Sequence, residues 1–122
     1  MKEEEKILLT GSHQVKDGGL HLWDLRTLEA FKKIKWDDKR EGHEHSTQVY
    51  SAKFANPKKE FIIAGGSEKN MAKIFNADTG KAVAVFSGLN KPCLVTDTSP
   101  EGNLALIACA DGSIQVKNLI YS

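Results

Sequence analysis

The chain has 122 residues, of which 40% are hydrophobic and 27% charged, and its net charge is +1. This balance is too apolar for intrinsic disorder and too polar for a membrane protein, and no apolar run approaches the roughly 20 residues of a membrane-spanning helix. The lysine pairs Lys32-Lys33 and Lys58-Lys59 are too short to form the basic, aromatic-interleaved stripe that nucleic acid requires, so no nucleic-acid or membrane partner is expected.

Met1 to Lys6 is highly charged and runs straight into Ile7-Leu8-Leu9. With no apolar signal core or small-residue cleavage site, it does not read as a secretory leader. From there, short apolar runs rich in β-branched residues predict strands over 6–10, 20–25, 29–35, 48–55, 60–65, 71–77, 81–86, 92–98, 103–109 and 113–119. The residues between them are turn formers. Asp17-Gly18-Gly19 and Asp111-Gly112 allow positive φ, and Asn56-Pro57 and Ser99-Pro100 fix φ after a turn-initiating residue. Ten short strands at this spacing predict an all-β sandwich, barrel or propeller.

An internal repeat chooses among these. Pro57 and Pro100 are 43 positions apart, and Phe75 and Lys117 are 42 apart. Trp23 precedes Phe75 by 52, the surplus falling in the polar stretch Asp37 to Thr47. Asp17 precedes Trp23 by six positions, and Asp111 precedes Lys117 by six. A period near 42 with four strands per unit is that of a β-propeller blade.

On these residues the chain resembles the WD-repeat family. The resemblance is carried by Asp17-Gly-Gly-Leu-His-Leu-Trp23-Asp24-Leu25, by Gly42-His43 with Phe75-Asn76 downstream, and by Thr98-Ser-Pro-Glu-Gly-Asn103 leading into the run that ends at Val116. It implies antiparallel four-stranded blades in an incomplete ring. A partial blade over 1–35 (second to fourth strands) is followed by a polar loop over 36–47. A complete blade over 48–87 and a partial blade over 88–122 (first to third strands) complete the order. In the family, a His, a Ser or Thr, the turn Asp and the Trp form a hydrogen-bonded chain within each blade, each buried polar group satisfying another. The matching positions are Asp17, Trp23 and Asp24 with Thr10 or Ser12, then His43 (with His45 as a rival) and Phe75, then Asp111. No repeat holds the full set: Phe75 and Lys117 stand where Trp would be, and Glu68, Lys69 or Asn70 near the Asp position. Such a ring has four to eight blades, so the chain reads as part of a longer protein or of a ring completed by oligomerisation.

Three chemical motifs have structural alternatives. Asp78-Thr79-Gly80 matches the three-residue motif around the catalytic aspartate of aspartic proteases, and Asp97-Thr98-Ser99 nearly does. They are only 19 positions apart, which leaves no room for the two lobes whose carboxylates share a proton. A Thr-Gly turn after the third strand of a WD-type blade accounts for Thr79-Gly80. Gly42-His43-Glu44-His45, near Asp37, Asp38 and Glu41, carries zinc-ligand chemistry. The helical zinc motif needs a second His four positions after the first, where Thr47 stands. Cys93 and Cys109 sit on adjacent strands and read as buried thiols, with a cross-strand disulfide as the alternative. With only two cysteines, a reducing compartment is expected, cytoplasm or nucleus. No catalytic set, metal or cofactor is expected.

What remains is a surface. The resemblance implies that loops joining blades share one rim that binds partners. Here that rim gathers Trp36, Arg40, His45, Tyr50, Glu68, Lys69 and Lys91. The expectation is therefore a non-catalytic scaffold segment that binds another protein or peptide. Its open blade edges would meet the rest of its own propeller or a symmetry mate. The rival expectation is a purely structural role in closing a ring.

Overall fold

Period-2 alternation of apolar and polar side chains leaves each segment one face to bury, and pairing into sheets satisfies its backbone. A computed structural model describes residues 7–11, 19–36, 49–56, 58–66, 71–87, 89–101 and 103–119. They form β1 (Ile7–Gly11), β2 (Gly19–Asp24), β3 (Glu29–Lys35), β4 (Val49–Phe54), β5 (Phe61–Gly66), β6 (Ala72–Asn76), β7 (Ala82–Phe86), β8 (Cys93–Thr98), β9 (Leu104–Cys109) and β10 (Ile114–Asn118). All ten expected strands are present, and no helix occurs among the described residues.

The strands pair into three antiparallel sheets. The first has the order β1-β2-β3, the second β4-β5-β6-β7 and the third β10-β9-β8. Each strand pairs with its neighbour in sequence, so short turns suffice. The β6–β7 turn shows the local chemistry. Asn76 Oδ1 accepts hydrogen bonds from the backbone N–H groups of Asp78 and Thr79. Gly80 closes the turn at φ +75° and donates its N–H to the Asn76 carbonyl, a conformation that costs glycine little. The β2–β3 turn is tighter on its residues. Leu28 takes φ +61° and donates to the Asp24 carbonyl, while Asp24 Oδ1 caps the Arg26 N–H.

The sheets stack face on face with the second in the middle. Leu20, Leu22 and Ile34 of the first sheet pack against Ile62, Ala64 and Phe75 of the second. On its other face, Ile63 and Ile74 pack against Ala105 of the third sheet, with Leu119 beside them. Ala72 meets Cys93, Ile107 and Cys109 nearby. Polar links join the second and third sheets. Ser51 Oγ lies 2.8 Å from Thr96 Oγ1 and accepts the Thr96 N–H at 3.0 Å. At Gly65 the sheets come closest: a Cβ there would lie 2.4 Å from Cys93 Sγ. The sheets do not close into a ring. The outward face of the third sheet is left bare, with Ile114 63% and Val116 62% exposed.

Candidate functional site

The first sheet keeps one polar link of the expected hydrogen-bond chain. Leu8 pairs with Trp23 and Thr10 with His21 across β1 and β2, which sets all four side chains on one face. There the Trp23 indole N–H donates to Thr10 Oγ1 at 2.9 Å, and the His21 and Trp23 rings are 6.3 Å apart. Asp17, Ser12, His43 and His45 lie outside the described residues. At the matching place in the second sheet, Phe75 is buried and offers only an apolar ring. In the third sheet, Lys117 is half-buried on β10. Asp111 accepts hydrogen bonds from Ser113 Oγ and N, which hold its carboxyl below the usual range, with Lys91 adding a small attraction. In these contacts it serves its own turn.

The rim expectation needs one correction. Trp36 is not a surface residue, being only 1% exposed. Its ring meets Phe75 edge-on at 5.8 Å, and its carbonyl accepts a 2.8 Å hydrogen bond from Lys73 Nζ. That ammonium also lies 5.2 Å from the Trp36 ring centroid, a cation–π contact in a largely desolvated place. The indole fills the space between the first two sheets because β3 delivers it there, and so large an apolar surface is more stable inside. Of the other rim candidates, Tyr50 is half-buried and Lys91 exposed. Arg40, His45, Glu68 and Lys69 lie outside the described residues.

A cleft of about 310 Å³ opens at the opposite end of the strands, between the first two sheets. The β2–β3, β4–β5 and β6–β7 turns surround it. Ile7, Phe31 and Phe54 supply apolar lining, and Asp24, Arg26 and Lys59 supply charge. The charges are already engaged. Arg26 grips Asp24 through two 3.2 Å hydrogen bonds and holds the carboxyl below its usual range. Lys59 Nζ lies 5.6 Å from the Phe54 ring centroid, and Lys32 Nζ donates to the carbonyls of Ala77 and Asp78. What the cleft offers is an apolar wall with a fixed polar mouth. The cleft was not foreseen from the sequence, because its residues come from strands and turns of two sheets that are far apart along the chain. The only local signal was Asp24 followed by Arg26.

Asp78 sits in the exposed β6–β7 turn, and Asp97 on β8 pairs with Lys53 at 2.6 Å, a bond that lowers its carboxyl pKa. Among the described residues no three His, Cys, Asp or Glu side chains are grouped to hold a metal. Cys93 and Cys109 face each other across β8 and β9 as buried free thiols. Burial, and then the neighbouring Cys109, push the Cys93 thiol up to about 11. No helix among the described residues is long and apolar enough to cross a membrane.

No family model matches the chain, and no curated protein matches it. In three dimensions it is similar to the crystal structure of the computationally designed Ika4 protein, with a TM-score of 0.69 and 18% identity. The match covers 98% of this chain and 64% of that one, so the chain spans about two thirds of the length of that structure. At that identity the likeness is one of fold, and the class it supports is an all-β protein of antiparallel sheets.

Proposed function

We propose that the chain is a non-catalytic segment of a WD-type propeller and serves as a scaffold for another protein or peptide. The observation that carries this reading is the agreement between the sequence period and the stacking. Ile63 pairs with Ile74 in the second sheet, and Leu106 pairs with Val116 in the third, at offsets of 43 and 42 positions. Units that repeat in sequence and stack in space make a continuous core and leave their loops at the two ends. The Trp23–Thr10 bond is the fragment of WD-type polar chemistry that supports the family name. The Ika4 likeness, which is one of fold alone, supports a stack of antiparallel sheets of this kind.

Two loop ends are available for a partner, and each has a test. Tyr50→Ala with Lys91→Glu alters the expected rim, and Phe31→Ala with Lys59→Ala alters the cleft. The immobilised chain is expected to retain a partner from a peptide library, and one of these pairs is expected to lose it with an unchanged circular dichroism spectrum. Retention by both variants, or capture by neither the wild type nor the variants, overturns the scaffold reading. The latter result favours the purely structural role.

A further inference from the structure

Each sheet has two different faces, and the stacking repeats their use. The face turned toward the next sheet can be termed leading, and the one turned toward the previous sheet trailing. The leading face of the second sheet carries Phe61, Ile63, Ala72 and Ile74, and the third sheet covers it. The repeat offsets carry these positions to Leu104, Leu106, Ile114 and Val116 on the third sheet. Here the same face is bare: Ile74 is 1% exposed, and Val116, its counterpart, 62%. The trailing faces tell the converse. In the second sheet Ile62 pairs with Phe75, and both are buried against the first sheet. In the first sheet the corresponding pair is Leu8 and Trp23, and Leu8 is exposed.

One chain therefore presents both halves of an interface that it already makes twice internally. We propose that the leading face of the third sheet docks on the trailing face of the first sheet of a second copy of this chain, head to tail. Three features support this occupant. The bare leading face is a run of Val95, Leu104, Leu106, Ile114 and Val116, more apolar area in one place than scattered surface residues provide. Its charged neighbour, Asp97, is paired with Lys53 inside the chain. On the trailing face, the Trp23 N–H is satisfied by Thr10, so burying the indole leaves no donor orphaned. The contact uses different patches on the two copies, so it either closes a ring or propagates. This inference rests on the repeat equivalence used for the proposed function but not on any external partner.

Complementation tests it. The 122-residue chain is examined by sedimentation velocity across a concentration series, beside Val116→Lys (leading face) and Leu8→Asp (trailing face). Both substitutions are at exposed positions, and far-ultraviolet circular dichroism checks that each variant stays folded. The wild type is expected to associate, and each variant alone is expected to be monomeric at concentrations where the wild type is not. An equimolar mixture of the two variants is expected to associate again, since one wild-type leading face then meets one wild-type trailing face. A monomeric wild type overturns the proposal and leaves both faces to further sheets of a longer polypeptide. A mixture that stays monomeric, or a Leu8→Asp chain that associates like the wild type, also overturns it. Neither result touches peptide capture at the loops, so failure here and failure of the scaffold reading are separable.

Discussion

β5 and β9 occupy the same place in the repeat, each second in its sheet between two neighbours, yet they live in different surroundings. From Ile62 to Gly66 every residue of β5 is buried, whereas β9 alternates, with Leu104 and Leu106 in solvent and Ala105 and Ile107 inside. Both strands are apolar along most of their length. The difference comes from coverage: among the described residues the second sheet has a neighbour on each face, and the third has only one. A near-continuous apolar strand fits two covered faces. On β9 that composition exceeds what one covered face needs, and the excess is the bare leading face.

Truncating equivalent positions in the second and third sheets is expected to have the largest and most unequal effects. Ile63→Ala and Ile74→Ala remove side chains packed on all sides and are expected to cost roughly 2–5 kcal/mol each. Leu106→Ala and Val116→Ala, at the matching places, are expected to cost less than about 1 kcal/mol in dilute monomer, where surface changes have small effects. Urea unfolding of the four variants measures this, and equal losses at both sets would abolish the distinction. The interface between the second and third sheets is probed next at Gly65. An alanine Cβ there would run into Cys93, so Gly65→Ala is expected to cost about 1–3 kcal/mol, a typical penalty for overpacking. Adding Cys93→Ala is expected to recover part of that loss by removing the sulfur, and a strictly additive double variant would refute the clash.

Smaller effects are expected at the polar links. Thr10→Val removes the acceptor of the Trp23 N–H and is expected to cost about 1 kcal/mol, with a shift in indole fluorescence as the check. The Lys53–Asp97 pair is largely exposed, and screening limits its worth to a few tenths of a kcal/mol. The folded state lowers the Asp97 pKa. Its contribution is therefore present above the unfolded carboxylate value of about 3.9 and is lost as the pH falls through the lower folded value. Asp97→Asn should flatten that part of the stability curve between neutral and acid pH. A curve unchanged by the substitution would mean that the pair is energetically silent.

Much of this architecture was legible in the amino-acid order. Alternating apolar runs bounded by Asn, Asp, Gly and Pro located all ten strands, because strand formation and turn formation are local events. The 42-residue period located the equivalent pairs, and the WD-repeat resemblance brought Thr10 or Ser12 forward as the hydroxyl partner of Trp23. Face-to-face packing was less visible. Trp36 follows a strand and precedes a polar stretch, a context that suits a loop-end aromatic on a binding rim. Only the approach of Phe75 and Lys73 from the second sheet turns it into core. The cleft was hidden for a related reason, since Ile7, Arg26, Phe54 and Lys59 are separated in sequence and meet only after two sheets have stacked.

The sequence by itself located the ten strands to within about a residue at each end, the turns that join them, and the placement of Cys93 and Cys109 on adjacent strands. These follow from backbone preferences and from register along neighbouring strands, which short connections enforce. Tertiary structure alone decided which faces are dry. An apolar residue on a sheet carries no mark of whether another sheet will cover it, so Ile74 and Val116 read alike in the repeat. Stacking supplies a neighbour for the one and leaves the other facing solvent, because burial is a property of two surfaces and the local sequence describes only one.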